Sequence, residues 1–192
     1  MKNSFFALVF RQKYIKRWGL MRNTTEENLA EHSAETAIVA HALAVIGNEV
    51  FSRSYSAERI ALLALYHDAA EIITGDLPTP IKYYSPEMRD NYKKIEEKAE
   101  SMLIERMSEP FRDIYSDVIS GASDGERFII KAADKICALI KCIEEAKSGN
   151  REFEKAELST RLSIEKMDCP EADYFIKEFL PCFYETLDEN SL

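Results

Sequence analysis

Apolar positions recur along most of the chain with the three-to-four-residue period of an α-helix, and strict alternation of apolar and polar residues is scarce. The six glycines and six prolines cluster at the boundaries of these periodic segments. No stretch repeats itself, and no low-complexity linker divides the chain. The pattern therefore predicts an all-α fold, a single-domain helical bundle over residues 1–192 that needs no sheet.

Helix start and stop signals divide the N-terminal half of the chain. A short helix is predicted over "FFALVFRQKYI". A capping box follows in "TTEE", with Thr24 as the cap and Glu27 three residues later. The helix that this box opens is expected to end at Gly47. The next helix is predicted to run without a break from the cap Ser56 to Gly75.

The second half is divided in the same way. "DLPTPIKYY" is predicted to be a loop because of its prolines, and "FSRSYS" and "EPFRDIYSDVISGASDG" are interpreted as variable connections. A capping box at Ser123 and Glu126 opens the helix "RFIIKAADKICALIKCIEEAKSG", and the tail "EADYFIKEFLPCFYETL" is expected to bend or break before Pro181. The helix "DNYKKIEEKAESMLIERM" is predicted to place one apolar face on the core, comprising Ile95, Ala99, Met102, Leu103 and Met107.

The balance of charge narrows the class of partner. The chain has 34 acidic and 25 basic residues and a formal net charge of -9. A nucleic-acid polymer is normally held by a basic face, so this excess of acid argues against DNA or RNA as a partner. A small phosphorylated ligand held by one or two local cations remains compatible with it.

The cysteines and the apolar runs indicate the compartment. None of the four cysteines forms a C-x-x-C pair, and Cys137 and Cys142 are spaced like small core residues of one helix. The lack of a disulfide pattern favours a reducing cytoplasm. The N-terminus has no small-residue cleavage site, and "AIVAHALAVI" is about half of the ~20 residues that a spanning helix needs. We therefore expect a soluble cytoplasmic protein without a membrane partner.

A histidine and an aspartate stand side by side in the apolar stretch "ALYHDAAEIITGDLPTP". Ionisable groups are costly to bury without a partner. On one helix, Glu71 would lie four residues after His67 and three after Asp68, so the three side chains would project from roughly one side. His67 and Asp68 have the chemistry of metal ligands, and the Glu71 carboxylate is well placed to act on a nearby water.

Two other predicted helices carry isolated residues of the same type, His32 in "LAEHSAET" and Asp134 in "IIKAADKICALI". A divalent ion would supply the counter-charge that lets two histidines and two aspartates converge. Mixed imidazole and carboxylate ligands suit Mn, Co, Fe, Zn or Ni. Taken singly, such residues are more often surface or satisfied core groups. His41 would point about 180° away from His32 on a straight helix, so it is predicted to be a core or interface residue.

The order H…HD…D resembles the HD-domain superfamily of metal-dependent phosphohydrolases. The stretches "RWGLMRN", "AEHSAETAIVAHALA", "ALLALYHDAAEIITGDLPTPIKYY" and "ADKICALIKCIEEAKSGN" are similar to the bacterial 5'-deoxynucleotidases of the YfbR type over nearly the whole chain. The resemblance implies a homodimeric enzyme that hydrolyses deoxyribonucleoside 5'-monophosphates to the nucleoside and phosphate. It also implies that Co2+, Mn2+ or Cu2+ supports the activity.

The resemblance assigns roles to individual residues. It implies a metal-ligand set of His32, His67, Asp68 and Asp134. Glu71 matches the catalytic carboxylate, with Asp76 and Arg17 as further residues that act on the phosphate or the water. The implied substrate-binding residues are Arg17, Trp18, His32, Asp68, Asp76, Leu77, Pro78, Thr79 and Asp134.

The chemistry of three of these residues agrees with their implied roles. The planar guanidinium of Arg17 suits a phosphate, and Trp18 offers a flat apolar wall for a sugar without a 2'-hydroxyl. Thr79 stands between two prolines, which stiffen its loop. Without the family, Trp18 would be interpreted as a core ring at the end of a helix.

Two other functions remain open from the sequence. The chain could be an HD phosphohydrolase for a triphosphate or a cyclic nucleotide, although a triphosphate needs more cations than the single Arg17 and Trp18 pair provides. It could also be a non-catalytic helical dimerisation module with a structural metal, although such a site has no need of Glu71. The apolar residues Phe175, Phe179 and Phe183 of the tail hint at a dimer contact.

Overall fold

Helices joined by short turns make up the described part of the chain, which in this computed structural model comprises residues 3–82 and 84–190 without the side chain of Thr79. Within these residues the one strand-like feature is an antiparallel bridge between Lys16 and Asn28. The prediction of an all-α fold is confirmed.

The helices vary widely in length. The α-helices are α1 (Phe5–Val9), α2 (Leu29–Phe51), α3 (Ala57–Leu65), α4 (Glu71–Thr74), α5 (Thr79–Lys82), α6 (Pro86–Ile104), α7 (Glu109–Ser120), α8 (Asp124–Lys147), α9 (Glu154–Glu165) and α10 (Pro170–Glu178). Tighter 3-10 turns lie at Phe10–Tyr14, Arg151–Phe153 and Leu180–Tyr184.

The long helices α2 and α8 form the centre of the core, and α3, α9 and α10 pack around them. Leu43 of α2 and Ile136 of α8 are completely buried there. By length and composition, α2 is the one described helix that could cross a membrane. Its buried residues pack against α3, α8 and α10, whereas Ile38, Val45 and Val50 of the same helix are exposed.

A second, smaller core supports the turn between α3 and α4. Phe5, Ala69, Leu103 and Met107 are buried together, and the turn itself spans residues 66–70. Helices α1, α6 and α7 therefore hold the segment that carries His67 and Asp68.

The predicted start and end of α2 are both wrong. Asn28 is the cap. Its side chain accepts hydrogen bonds from the backbone N–H groups of Ala30 and Glu31, and the Glu31 carboxylate accepts one from the backbone N–H of Asn28. The helix continues past Gly47 to Phe51. The glycine at position 47 makes room for Tyr55, whose ring would lie 2.6 Å from a Cβ atom there. The left-handed residue Ser52 follows the last turn.

The predicted single helix from Ser56 to Gly75 is also wrong. Helix α3 ends at Leu65, five residues form turns, and α4 adds one further helical turn. Ser56 precedes α3 but makes no side-chain capping bond. Gly75 ends α4 as predicted, with a φ of 74° that favours glycine. Because of this break, the side-chain directions of His67 and Asp68 do not follow the geometry of one straight helix.

Other predictions divide between confirmed and wrong. The Ser123 capping box and the break between α10 and the turn that contains Pro181 are confirmed. The segment "DLPTPIKYY" is not all loop, since Pro80 fits the first turn of α5. The interpretation of "EPFRDIYSDVISGASDG" as a connection is wrong because it contains α7, and α9 was not predicted.

The predicted apolar face of α6 is only partly correct. Ala99, Leu103 and Met107 are buried, whereas Ile95 and Met102 are exposed. The two exposed residues lie on the side of α6 that no described element covers. Elsewhere, Cys137 and Cys142 are buried as predicted.

Candidate active site

Three separate elements bring the candidate metal ligands together. His32 lies in the first helical turns of α2, His67 and Asp68 lie in the turn between α3 and α4, and Asp134 lies in the middle of α8. His32 is completely buried, while the other side chains are reached by solvent to different degrees. These side chains thus meet where the central helices α2 and α8 lie next to the turn between α3 and α4.

The polar atoms of these residues are close. Nε2 of His32 lies 3.2 Å from Asp134 Oδ1 and 3.6 Å from Asp68 Oδ2. Nε2 of His67 lies 3.1 Å from the same oxygen of Asp68. One ligand atom from each of His32, His67 and Asp68 lies within 4.8 Å of the others, which is the spacing of a group able to hold a metal ion.

An oxygen atom lies behind each imidazole, at hydrogen-bond distance for His67 and at ion-pair distance for His32. Nδ1 of His67 lies 2.7 Å from the carbonyl oxygen of Ala64, to which it can donate. Nδ1 of His32 lies 3.5 Å from Glu27 Oε1. A backbone carbonyl or a carboxylate behind a histidine is the usual partner of a metal-binding imidazole, because it fixes the tautomer. In both residues Nε2 faces the shared centre, and Nε2 of His32 also lies 3.4 Å from the Thr36 hydroxyl.

The electrostatics of the cluster depend on paired charges. Burial alone would lower the pKa of His67, but the adjacent Asp68 carboxylate outweighs burial and raises it to about 9. Burial would likewise raise the pKa of Asp68, yet His67, His32 and Arg17 hold it well below its usual range. For Asp134, hydrogen bonding to His32 outweighs burial and lowers the pKa.

Two more carboxyl groups lie beside this cluster. Glu71, in the first turn of α4, is buried, and its burial together with Asp68 and Asp76 raises its pKa to about 9. Asp76 follows the helix-ending Gly75; burial raises its pKa, and Arg17 opposes that change. Such strongly perturbed groups are typical of functional sites.

The donor set fits a divalent metal ion. Several carboxyl groups converge on two imidazoles and one guanidinium in a buried place, where Asp68 and Asp76 disfavour the ionised form of Glu71. Among the described residues, the buried atom Glu71 Oε2 has no hydrogen-bond partner, and His67 Nε2 lies beside Asp68 at an ion-pair distance without forming a hydrogen bond. A divalent cation bound by imidazole and carboxylate would satisfy both features.

Arg17 and Trp18 lie at the edge of the cluster, in the loop that follows the Phe10–Tyr14 turn. The backbone N–H of Arg17 donates to the Glu27 carbonyl, next to the bridge between Lys16 and Asn28. Nη1 of Arg17 lies 3.5 Å from Asp68 Oδ2. The loop therefore brings one guanidinium directly to the metal-ligand cluster.

A cleft of about 690 Å3 opens above the cluster. Arg17, Trp18, Asp76, Pro78 and Asp134 are among the residues that line it. This volume lies within the range of small-molecule sites, about 300–1,000 Å3.

Several predicted site residues stand apart from this lining. His32, His67, Asp68 and Glu71 belong to the neighbouring cluster and do not line the cleft. Leu77 is half-buried and is not among the residues that line the cleft. The side chain of Thr79 lies outside the described part of the chain. His41 is exposed, so its interpretation as a core residue is wrong, and an interface role stays a prediction.

Sequence reasoning missed the opposite wall of the cleft. It consists of small and hydroxyl side chains of α9, with Lys135 and Ala138 of α8 beside them. The α9 residues have the spacing of one helix face, a signal that could have identified them: Ala156, Ser159, Thr160 and Ser163. Glu27 was also missed, because it was interpreted as part of a helix cap.

Comparison with known proteins agrees with this geometry. An HD-domain phosphohydrolase from Listeria innocua superposes with a TM-score of 0.81 at 26% identity, covering 94% of this chain and 88% of that one. A cyanophage S-2L HD phosphohydrolase, solved with dA and one catalytic Zn2+ ion, superposes with a TM-score of 0.67 at 20% identity, covering 94% and 96%. The fold and the site therefore define a phosphohydrolase of the HD-domain class.

Sequence relatives narrow this class. A 5'-deoxynucleotidase from Vibrio atlanticus is 50% identical over the full length of both chains. The 5'-deoxynucleotidase YfbR of Escherichia coli is 47% identical over 100% of this chain and 98% of that one. The family described as 5'-deoxynucleotidase YfbR-like matches residues 4–183. The chain belongs to this family.

Proposed function

We propose that the chain is a divalent-metal-dependent 5'-deoxynucleotidase, which hydrolyses deoxyribonucleoside 5'-monophosphates to the deoxynucleoside and phosphate. The observation that carries this proposal is the convergence of His32, His67 and Asp68 next to Arg17, at a cleft large enough for a nucleotide. The activity named for relatives at 47–50% identity over the whole chain supports it.

The proposed metal-ligand set is His32, His67, Asp68 and Asp134. The close spacing of the first three supports it, and Asp134 joins them through its 3.2 Å distance to His32 Nε2. When bound, a divalent ion supplies positive charge to the phosphate, acidifies a water molecule and favours the ionised form of the nearby carboxyl groups. The metal is proposed to be Co2+, Mn2+ or Cu2+. Imidazole and carboxylate ligands are compatible with such ions.

Arg17 is the proposed phosphate ligand. Its guanidinium lies among carboxylates, at 3.5 Å from Asp68 and 3.6 Å from Glu27, so its orientation is set before substrate binds. A planar fork of N–H donors can contact two phosphate oxygens at once. Its charge would stabilise the negative charge of the phosphoryl group during transfer.

Glu71 is the proposed acceptor of the proton from the attacking water. The carboxyl is buried, and its Oε2 atom has no hydrogen-bond partner among the described residues, so a lone pair is available. Asp76 lies on the cleft wall and is the alternative for orienting the water or the substrate. Positioned proton transfer of this kind contributes about a hundredfold to ten-thousandfold in rate.

Trp18 is proposed to select the deoxyribose. It lines the cleft directly after Arg17, so its ring lies beside the place where the sugar of a bound 5'-phosphate would lie. A ribose 2'-hydroxyl facing the ring would lose its hydrogen bonds to water. An unpaired buried hydroxyl costs about 1–3 kcal/mol, which corresponds to a preference of roughly tenfold to a hundredfold.

The rest of the cleft is proposed to hold the nucleobase. The small side chains of α9 and the apolar Leu20 and Met21 line this end. Leu77, Pro78 and Thr79 are proposed to form the substrate-binding loop with Asp76. The short hydroxyl side chains of the α9 wall can turn to suit different base edges, so we expect several bases to be accepted.

Two assembly features complete the proposal. The enzyme is proposed to act in the cytoplasm as a homodimer. Exposed apolar residues of α2 support a dimer contact there, among them Ile38 and Val45. The tail gives weaker support, because Phe175 is buried within the chain and only Phe179 is largely exposed. Sedimentation analysis of the purified chain tests the dimer.

The decisive experiment measures phosphate release from paired deoxyribonucleoside and ribonucleoside monophosphates with Co2+, Mn2+, Cu2+ and Zn2+. We expect metal-dependent turnover, with the deoxy substrates preferred by at least about tenfold. Deoxynucleoside triphosphates and cyclic nucleotides are assayed in parallel. Turnover of those substrates alone, or no turnover with any metal, would contradict the proposal.

A further inference from the structure

Glu27 lies at the junction between the Arg17–Trp18 loop and the start of α2. The loop runs antiparallel to the segment before α2: Lys16 pairs with Asn28, and the backbone N–H of Arg17 donates to the carbonyl oxygen of Glu27 at 3.0 Å. This pairing fixes the Glu27 backbone. Its side chain is 9% exposed, unlike that of its neighbour Glu26, which is 72% exposed.

The Glu27 carboxylate contacts three residues of the site. Its Oε2 atom accepts the indole N–H of Trp18 at 2.7 Å and lies 3.6 Å from Nε of Arg17. Its other oxygen lies 3.5 Å from Nδ1 of His32, which is an ion-pair distance, since that buried nitrogen has no hydrogen-bond partner among the described residues. One buried carboxylate therefore adjoins the proposed sugar wall, the proposed phosphate ligand and a proposed metal ligand.

Trp18 needs such a contact because its backbone does not hold it in a regular element. Its φ of 59° lies in the left-handed region, which aromatic residues rarely adopt. One face of the ring is packed by Phe153, with the centroids 5.2 Å apart. The hydrogen bond to Glu27 restrains the polar edge, and the two contacts together define the orientation of the ring.

We propose that Glu27 is a positioning residue: through its bond to the indole N–H it orients Trp18 and so sets the preference for deoxyribose, and through its second oxygen it orients the imidazole of His32. This inference rests on the proposed function, because the sugar-selecting role of Trp18 belongs to that function. Glu27 itself does not line the large cleft, so it acts through the residues that it holds.

Two substitutions of similar volume separate these two effects. Glu27→Gln keeps a carbonyl oxygen for the indole N–H but replaces the other oxygen by an N–H donor facing His32. Glu27→Met removes both acceptors. Glu26→Gln is the matched control, because the adjacent Glu26 is exposed and, among the described residues, its side chain pairs with Lys16 alone. Should Glu27→Met fail to fold, Glu27→Ala takes its place in every measurement.

The first measurement is independent of catalysis. Trp18 is the single tryptophan of the chain, so the intrinsic fluorescence of the intact protein reports on this ring alone. We expect Glu27→Met to lower the fluorescence anisotropy and to raise the acrylamide quenching constant. Glu27→Gln and Glu26→Gln should both remain near wild type. Wild-type values for Glu27→Met would overturn the positioning of Trp18.

The second measurement compares kcat/KM for a deoxyribonucleoside monophosphate with that for its ribo counterpart. We expect Glu27→Met to lower this ratio about tenfold, as the loss of a hydrogen bond to a charged group predicts, and Glu27→Gln to preserve it. Trp18→Phe removes the same hydrogen bond, so combining it with Glu27→Met should lower the ratio no further. An equal loss of activity on both substrates would overturn the inference.

The third measurement tests the contact with His32. Partners behind a ligating histidine typically change metal affinity by about tenfold to a hundredfold. We expect titration calorimetry with Mn2+ to show this loss for both Glu27 variants and not for Glu26→Gln. Unchanged affinity in Glu27→Gln would overturn that half of the proposal. If wild-type protein released no phosphate from any substrate, the proposed function would fail, while the fluorescence would still decide the position of Trp18.

Discussion

Nε2 of the completely buried His32 lies 3.2 Å from Oδ1 of Asp134, although the two residues belong to different helices, α2 and α8. Asp68, from the turn between α3 and α4, reaches the same nitrogen at 3.6 Å. The site therefore links the two central helices of the core to the turn between α3 and α4. A ligand that binds these side chains would bind the folded chain and not the unfolded one.

Metal binding is thus expected to stabilise the fold. At a free metal concentration a hundredfold above Kd, linkage predicts about 2.7 kcal/mol of added stability. Chelator-treated protein should therefore unfold at a higher temperature after Mn2+ or Co2+ is added. Asp68→Ala and Asp134→Ala should lose this increase and show less bound metal by elemental analysis.

Glu144→Gln is the control for these two variants, since Glu144 is an exposed acid on the same helix as Asp134. It should keep the full metal-dependent increase in Tm. An equal increase in wild type and Asp68→Ala would show that the ion binds elsewhere on the acidic surface. The proposed ligand set would then be wrong.

Substitution of Glu71 by glutamine should separate catalysis from metal binding. The amide has nearly the same volume but does not accept a proton from water, so we expect kcat to fall by about a hundredfold or more. Metal content should stay unchanged because Glu71 is outside the proposed ligand set. The same assay on Asp76→Asn distinguishes the two carboxyls: a larger fall in kcat for Asp76→Asn would transfer the proton-accepting role to Asp76.

Truncation of Trp18 should relax the choice of sugar. In Trp18→Ala the ring no longer excludes water from the 2' position, so a ribose hydroxyl can stay hydrated. We expect kcat/KM for ribonucleotides to rise relative to deoxyribonucleotides by about tenfold. Competition assays with paired substrates measure this ratio directly. An unchanged preference would exclude the ring from sugar selection.

The α9 wall offers a test of where the base binds. Thr160→Phe would extend a large ring into the cleft, whereas Leu158→Phe lies on the same helix, is 61% exposed and does not line the cleft. We expect Thr160→Phe to raise KM about tenfold for purine substrates and less for pyrimidines, with metal affinity unchanged. If both variants leave KM unaltered, the base does not use this wall.

The metal-ligand candidates could be found from the sequence because each is an ionisable residue within an apolar helical pattern. The sequence did not reveal that the chain turns between Leu65 and Glu71, since every residue there is compatible with a helix. The break depends on tertiary packing, in which Ala69 joins Phe5 and Leu103 in the second core. Local propensity carries no information about such contacts.

Glu27 is a second residue whose role could not be predicted from the local sequence pattern. Its spacing from Thr24 fits a capping box, but Asn28 makes a better cap because its side chain accepts two backbone N–H groups. The Glu27 side chain therefore takes no part in the cap. It is buried next to the bridge, where it lies close to Trp18 and His32. The α9 wall was missed because its residues are small and hydroxyl-bearing, without the charge that marks a catalytic site.

Thr24, the other half of the predicted box, belongs to a buried network around Glu145 of α8. The Thr24 hydroxyl donates to Glu145 Oε2 at 2.6 Å, and Nδ2 of Asn150 donates to the same oxygen at 2.7 Å. Nζ of Lys141 donates to Glu145 Oε1 and to the Thr25 carbonyl. This network ties the loop that precedes α2 to α8, away from the metal ligands.

The Glu145 network should make the stability of the fold depend on pH in acid. Burial opposes the charge of Glu145, but the bonds from Lys141, Thr24 and Asn150 outweigh burial and hold its pKa below the usual 4.5. A carboxyl group whose pKa is lower in the folded than in the unfolded state stabilises the fold fully above its unfolded pKa, and this contribution is lost as pH falls through the folded pKa.

Glu145→Gln leaves Lys141 buried without its counter-charge and should lower the free energy of unfolding by about 3 kcal/mol at pH 7. Urea unfolding of both proteins between about pH 7 and pH 3 measures this, and the difference between them should shrink below about pH 4.5. A difference that stays constant down to pH 3 would mean that the charge of Glu145 contributes nothing.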